Sequence, residues 1–229
     1  NAFVSGVVST GTHVISLAEA PMPTVASHST MSDIDASVII TASHNPPTDN
    51  GFKFFKEGRE FVREEEVFLE ERVRDGKFIS AEWSEIGHIK SWNIRPSYFR
   101  RVHEFLNSRG NSGEWMAVLI DAANGAACYY TPHLLREIGF KVTTMNSHPD
   151  GHFPGRLAEP APRNLGDIMH VMKDSDFAVG IAHDGDGDRL AVIDEEGRFV
   201  DQNRIIALFA RDEVERRGGG TVVVSIDTS

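Results

Sequence analysis

The sequence is short of cysteine, of long apolar runs and of positive charge, and each shortage removes a class of protein. One cysteine, Cys128, stands in 229 residues, so no disulfide can close within the chain. That suits a reducing compartment and makes the cytoplasm the expected location. No stretch approaches the roughly 18–20 consecutive apolar residues of a membrane span, and the N-terminal residues lack the basic-then-apolar order of a secretory signal, so no membrane partner is expected. Lys plus Arg number 23 against 34 Asp plus Glu, a net charge of −11. This is the wrong sign for tracking a phosphate backbone, and nucleic acid is not an expected partner. There is no internal repeat, and a composition of 40% hydrophobic and 25% charged residues with 20 glycines and 10 prolines excludes disordered, collagen-like and low-complexity chains. What is left is a globular chain with room for one large domain or two ordinary ones, at about 100–200 residues each. It opens on Asn1 without an initiator Met and stops just after the apolar run 221–226, so both ends read as cut.

Along the chain, strand and helix patterns alternate. Small and apolar residues from Ala2 to Val8 predict a helix stopped by Gly11, and His13 to Leu17 predicts a strand ended by Pro21 and Pro23. Asp35 to Ile40 and Gly51 to Phe55 are β-branched or aromatic runs that read as strands, whereas Glu64 to Arg74 carries Val67, Phe68 and Val73 among charges, as a solvated helix does. The pattern loosens from Ser80 to Pro96 and resumes helical spacing at Tyr98 to Leu106. The domain boundary is therefore expected near Asn93, dividing 1–93 from 94–229. Beyond it, strands are predicted at Trp115–Ile120, Lys141–Met145, Phe177–Ile181 and Leu190–Ile193. Helices are predicted around Leu134–Ile138, Leu165–Lys173 and Ile205–Glu215. This alternation predicts two consecutive α/β domains with mixed, mainly parallel sheets sandwiched by helices.

Two loops carry chemistry. The first, Thr41-Ala-Ser-His-Asn-Pro-Pro47, leaves a predicted strand, a place where ligands commonly bind in open α/β sheets. Ser43 is its candidate nucleophile, presented by a loop that two prolines stiffen. An ordinary turn uses the same residue types. A serine hydrolase fits poorly, because Ala42 and His44 do not make the Gly-x-Ser-x-Gly elbow and a sequence neighbour such as His44 is badly placed to act as the base.

The second loop, His183-Asp184-Gly-Asp186-Gly-Asp188-Arg189, alternates carboxylates with glycines between two predicted strands. Like charges so close need a cation among them, and hard oxygen ligands select Mg²⁺, Ca²⁺ or Mn²⁺. An EF-hand would use Asp184, Asp186, Asp188 and Glu195 as loop positions 1, 3, 5 and 12, but Arg189 stands where its sharp turn needs Gly, and strands flank the loop instead of helices. A hydroxyl, a cation site and the positive side chains Lys53 and Arg189 are together parts for phosphoryl transfer.

The segments 41–55 and 182–194 resemble the α-D-phosphohexomutase family, which includes phosphoglucomutases and phosphomannomutases, and occur in the family's order. The stretches Asp150–Arg156 and Glu159–Leu165 resemble the segment after the third strand of the family's second domain. The resemblance implies that Ser43 bears the transferred phosphoryl group and that Asp184, Asp186 and Asp188 bind Mg²⁺ together with a phosphoserine oxygen. It makes Lys53 the proton-transfer lysine and sets His44 and Arg189 beside the phosphoryl group. It implies interconversion of hexose 1-phosphate and hexose 6-phosphate through a hexose 1,6-bisphosphate, with a phosphosugar as partner. Family members have four domains, so the chain is expected to hold most of the first and nearly all of the second, and not to turn over by itself. The alternatives are a phosphoglucosamine mutase and a non-catalytic module that binds a divalent cation or a phosphosugar. Cys128 reads as a small packed residue, and Asp121-Ala-Ala-Asn-Gly125 as a capped strand-to-helix turn.

Overall fold

A computed structural model describes residues 1–31, 33–109, 116–225 and 228, and its contacts divide the chain into two compact units. The first comprises residues 1–42 and 50–111, the second residues 43–49 and 112–229.

In the first unit α1 (Ala2–Val8) leads through a turn at Gly11 into β1 (Val14–Ser16), as the sequence predicts. The next element, α2 (Met22–His28), is not predicted. Pro21 and Pro23 do end the strand, but they also open the helix: Pro21 is its N-cap and Pro23 lies in its first turn, where a missing N–H costs nothing. The strands β2 (Ser37–Ile40), β3 (Phe52–Lys56) and β4 (Arg59–Glu60) form an antiparallel three-stranded sheet. Val25, Ile39 and Phe55 are its buried core. The helix α3 (Arg63–Asp75) buries no residue, which bears out its reading as a solvated helix, and ends on Gly76 in the left-handed region at φ 63°. The strand β5 (Ile89–Ser91) falls in the loosened stretch and pairs in parallel with β1.

The helix α4 (Arg95–Ser108) packs with the first unit, so the spatial grouping falls elsewhere than the expected division after Asn93. The reason is visible at His28. Its Nδ1 donates to the Thr24 carbonyl at 2.9 Å and its Nε2 meets Ser97 Oγ at 3.0 Å, while Arg101 donates to the Ser27 carbonyl.

In the second unit β6 (Ala117–Asp121) is followed by a 3₁₀ turn (Ala126–Tyr129), α5 (Thr131–Ile138) and β7 (Lys141–Met145). Trp115, expected to open the first of these strands, lies outside the described residues. Gly139 caps α5 in the left-handed region at φ 112°. Then come α6 (Gly166–Lys173), β8 (Val179–His183), β9 (Leu190–Ile193), β10 (Phe199–Val200) and α7 (Gln202–Arg217), whose N-cap Asp201 accepts from Asn203 N. The five strands form one sheet in the order β10-β9-β8-β6-β7. The sheets are mixed, as expected, with parallel pairing confined among the described residues to β1 with β5 and to β7, β6 and β8. The antiparallel share is larger than the alternation suggested because β9 and β10 return as hairpins. Ile168 and Met172 of α6 pack one turn apart onto Leu119, Ala182, Ala191 and Ile193, all buried. No described helix is long and apolar enough to cross a membrane.

Met172→Ala should destabilise the protein by about 2–5 kcal/mol, since it empties a close-packed site, and Val73→Ala on the exposed α3 by no more than about 0.5 kcal/mol. Urea unfolding checks both; equal effects would mean the second unit's core is misplaced.

Candidate active site

The parallel strands β6, β7 and β8 end at Asp121, Met145 and His183, so the loops after them emerge from one edge of the sheet. The chain goes from β6 to its neighbour β7 on one side and later to β8 on the other. Such a reversal leaves a crevice outside the carboxyl ends of the strands, where open α/β sheets bind ligands. The acidic loop is the connection between β8 and β9, closed by the pair His183 and Leu190.

That hairpin connection brings Asp184, Asp186 and Asp188 together, with one carboxylate oxygen of each within 4.8 Å of the others. Asp184 and Asp186 are buried and Asp188 partly so. Burial pushes the Asp184 carboxyl up to about 7, and the Asp186 charge pushes in the same direction, against the Arg189 N–H that donates to Asp184 Oδ1 at 3.1 Å. Three hard oxygen donors without a nitrogen or sulfur ligand fit a divalent cation of the Mg²⁺, Mn²⁺ or Ca²⁺ type.

Residues 43–49 belong to the same unit. Ser43 Oγ donates to Asp184 Oδ2 at 3.3 Å and lies 3.4 Å from His44 Nδ1. The structure thus joins the two loops that sequence analysis singled out separately. It also gives His44 a long contact to the serine that adjacency in sequence argued against. Ser43 sits at φ 55°, a region that non-glycine residues enter at a cost.

Two glycines let the loops meet. A Cβ on Gly185 would lie 2.6 Å from the Ser43 carbonyl oxygen, and one on Gly125 would lie 2.4 Å from the Gly185 carbonyl oxygen. Both are backbone contacts that a side chain cannot enter. Phe153, itself at φ 51°, covers Gly185 with its ring edge.

Of the remaining predicted residues, Arg189 has a half-exposed side chain 4.0 Å from Asp188 Oδ1. It borders a cavity of about 610 Å³ that Glu159, Asp201, Gln202 and Asn203 also line. Lys53 is half-buried on β3 of the first unit, opposite Ile39. Cys128 is buried in the 3₁₀ turn, as expected of a packed residue.

A polar layer under the acidic loop was not legible in the sequence. Arg156 Nε donates to Asp121 Oδ2 at 2.8 Å and Nη2 to the His183 carbonyl at 2.6 Å. His183 Nδ1 faces the Arg189 carbonyl at 3.2 Å, so it carries the proton, and Nε2 accepts from Thr131 Oγ1 at 2.9 Å. Burial pushes the His183 imidazole pKa down, in keeping with this neutral tautomer. The available signal was a carboxylate ending the apolar run Ala117-Val-Leu-Ile-Asp121.

Family models for the phosphoglucomutase/phosphomannomutase alpha/beta/alpha domains I and II match residues 1–80 and 96–197. A Thermococcus kodakarensis protein named phosphopentomutase is 47% identical over 229 residues, which is 100% of this chain and 50% of that protein. A Methanopyrus kandleri protein named as a probable phosphoglucosamine mutase is 38% identical, again over 100% of this chain and 50% of its own length. The solved structure of a phosphoglucomutase/phosphomannomutase family protein from Burkholderia thailandensis matches with a TM-score of 0.81 at 27% identity, over 91% of this chain and 46% of that one. The chain spans about half the length of the curated relatives it matches.

The raised Asp184 carboxyl gives a pH test. The folded, cation-free protein holds a proton there up to about pH 7, whereas the ordinary value is 3.8, so stability falls as pH rises between them. A divalent cation replaces that proton, so its stabilising effect grows over the same interval. Added Mg²⁺ should raise the melting temperature of EDTA-treated protein more at pH 7.5 than at pH 5, as read by differential scanning fluorimetry. An equal rise at both values would contradict the placement of the cation at Asp184.

Proposed function

Because the chain belongs to the α-D-phosphohexomutase family of phosphoglucomutases and phosphomannomutases, we propose that it carries the phosphoryl-transfer and cation-binding half of a phosphosugar mutase. The observation that carries this reading is the approach of Ser43 Oγ to Asp184 at 3.3 Å, inside a triad of carboxylates. A serine held there has its hydroxyl aimed at the only such acidic group among the described residues. In the proposed division of labour residues 1–93 bring the serine segment and Lys53, and residues 94–229 the acidic loop.

In the proposed reaction Ser43 carries a phosphoryl group. The Ser43 Oγ–P bond breaks as a sugar hydroxyl oxygen forms a bond to the same phosphorus, and the hydroxyl proton passes to a base, for which Lys53 is the candidate. In the return step of the resulting sugar bisphosphate, a hexose 1,6-bisphosphate in the hexose case, Ser43 Oγ forms a bond to the other phosphorus as that sugar O–P bond breaks, and the base gives its proton to the sugar oxygen so released. The net change is an isomerisation of hexose 1-phosphate and hexose 6-phosphate. Asp184, Asp186 and Asp188 are the residues that would hold Mg²⁺, and the bound cation would withdraw charge from the phosphoryl oxygens. Arg189 and His44 offer further donors to those oxygens, Arg189 from the wall of the cavity and His44 from beside Ser43. The glycine contacts keep the serine loop and the acidic loop at a fixed separation, which is the positioning that phosphoryl transfer chiefly needs.

A second reading of the substrate is favoured by one finding: the relative named phosphopentomutase is 47% identical, against 38% for the one named as a phosphoglucosamine mutase. A coupled assay of the intact protein with glucose, mannose, glucosamine and ribose 1-phosphates decides between a hexose and a pentose. Turnover of ribose 1-phosphate alone would overturn the hexose reading.

Ser43→Ala should abolish a phosphoenzyme visible by intact mass and cut turnover by about 10³-fold or more, without loss of fold. Phosphate that stays on Ser43 without exchanging into sugar bisphosphate would instead point to a non-catalytic binding module. Gly185→Ala, which forces a Cβ against the Ser43 carbonyl, should slow phosphoryl exchange by about 100-fold while Ser43 is intact. Wild-type exchange in that variant would refute the close approach of the loops.

A further inference from the structure

We propose that Arg156 is a positioning residue for the cation site, one that fixes the direction of Asp184 by holding the peptide on its N-terminal side, with Asp121 holding Arg156 in turn. The inference rests on the reading of Asp184, Asp186 and Asp188 as cation ligands and extends it to residues outside that set. The Arg156 side chain is only 7% exposed and that of Asp121 only 1%. Each nitrogen of the fork donates: Nε to Asp121 Oδ2 at 2.8 Å, Nη2 to the His183 carbonyl at 2.6 Å, and Nη1 to the Leu157 and Ala158 carbonyls at 2.9 and 3.4 Å. Asp121 ends β6 and His183 ends β8, so one side chain ties together the ends of two neighbouring parallel strands.

The consequence for the site comes from the peptide bond. The His183 carbonyl shares its plane with the Asp184 N–H. Pinning that oxygen therefore fixes the orientation of the peptide from which the Asp184 side chain projects. On the other side of Asp184 the Gly185 carbonyl accepts from Ala126 N at 2.9 Å. The turn that presents Ala126 is held by the other oxygen of the same carboxylate, since Asp121 Oδ1 accepts from Ala123 N at 2.9 Å. Both restraints on Asp184 thus lead back to Asp121, one through Arg156 and one through the turn.

A buried ion pair is a poor way to add stability, because desolvation offsets much of the attraction and apolar residues of the same volume do as well. The specific gain here is geometric. A planar guanidinium reaches a carboxylate and three carbonyls at once, and an ammonium cannot reproduce that fork. Groups that orient ligand residues in this way typically change metal affinity 10–100-fold when altered.

The test uses the intact protein with Mn²⁺ alone as the probe, free Mn²⁺ being read by electron paramagnetic resonance. Wild type, Arg156→Lys, Arg156→Gln and Asp186→Asn are compared, with near-UV circular dichroism on each. Both Arg156 variants should keep the native spectrum and bind Mn²⁺ about 10–100-fold more weakly. The Mn²⁺ concentration for half-maximal turnover should rise by the same factor, with the rate at saturating Mn²⁺ largely restored. A lower melting temperature with unchanged Mn²⁺ affinity would make Arg156 a structural residue only and overturn the proposal. Loss of the native spectrum in both variants would overturn it as well. If Asp186→Asn weakens Mn²⁺ binding and the Arg156 variants do not, the positioning role alone fails. If Asp186→Asn also binds normally, the ligand assignment fails with it.

Discussion

Three carboxylate oxygens within 4.8 Å of one another repel, and the loop that bears them exists only because the surrounding structure opposes that repulsion. At about 4 Å each ionised pair costs about 4 kcal/mol in a medium of effective dielectric 20, against a total stability of about 5–15 kcal/mol for a folded domain. Two remedies are open to the protein: to keep a proton on Asp184, which its raised pKa records, or to admit a cation. Backbone restraint on both sides of Asp184 keeps the loop from taking a third course, which is to splay apart. The acidic cluster, the buried arginine beneath it and the glycines within it are therefore one arrangement, in which each part answers a cost set by another.

Sheet topology decides where such an arrangement can be built. The carboxyl ends of β6, β7 and β8 deliver three loops to one edge of the second unit, and Gly125 and Gly185 let two of them touch through their backbones. With any side chain at either position the separation would grow by the width of a methyl group. Ser43 approaches the same glycine through its carbonyl, and its hydroxyl donates to Asp184. The serine is thus placed through its main chain.

The sequence made the two loops legible and left their support obscure, for physical reasons. Ser43 and the three aspartates announce themselves because prolines, glycines and carboxylates at such density have no ordinary packing role, and the alternation of strands and helices around them follows from hydrophobic period. The helix α2 was missed because Pro21 and Pro23 were read only as breakers, although proline also starts helices. β4, β5 and β10 were missed because strands of two, three and two residues carry no period to detect. Arg156 was visible only as part of a resemblance. A lone arginine in a Gly- and Pro-rich loop looks solvated, and only the fold shows that its partners are Asp121, 35 residues earlier, and His183, 27 residues later.

Backbone strain follows the same distribution. In the second unit the non-glycine residues with positive φ are Ser43, Ala123, Asn124, Asn146 and Phe153, all in the loops that converge on Gly125, Gly155 and Gly185. Each costs about 1–2 kcal/mol relative to a relaxed conformation, and the cost is met locally. Asn124 donates from its side chain to the His148 carbonyl at 2.7 Å and accepts from Gly155 N at 3.1 Å, and its backbone N–H reaches the Asn146 carbonyl at 2.6 Å. One strained asparagine therefore fixes the 146–156 loop, the loop that carries Arg156 and Phe153 to the acidic hairpin. A site assembled from flexible loops would have to spend ligand binding energy on ordering them, whereas here folding has already covered that cost. In the second unit the strain described lies in the loops around the acidic hairpin, and the core of Leu119, Ile168 and Met172, which needs only volume, contains none of it.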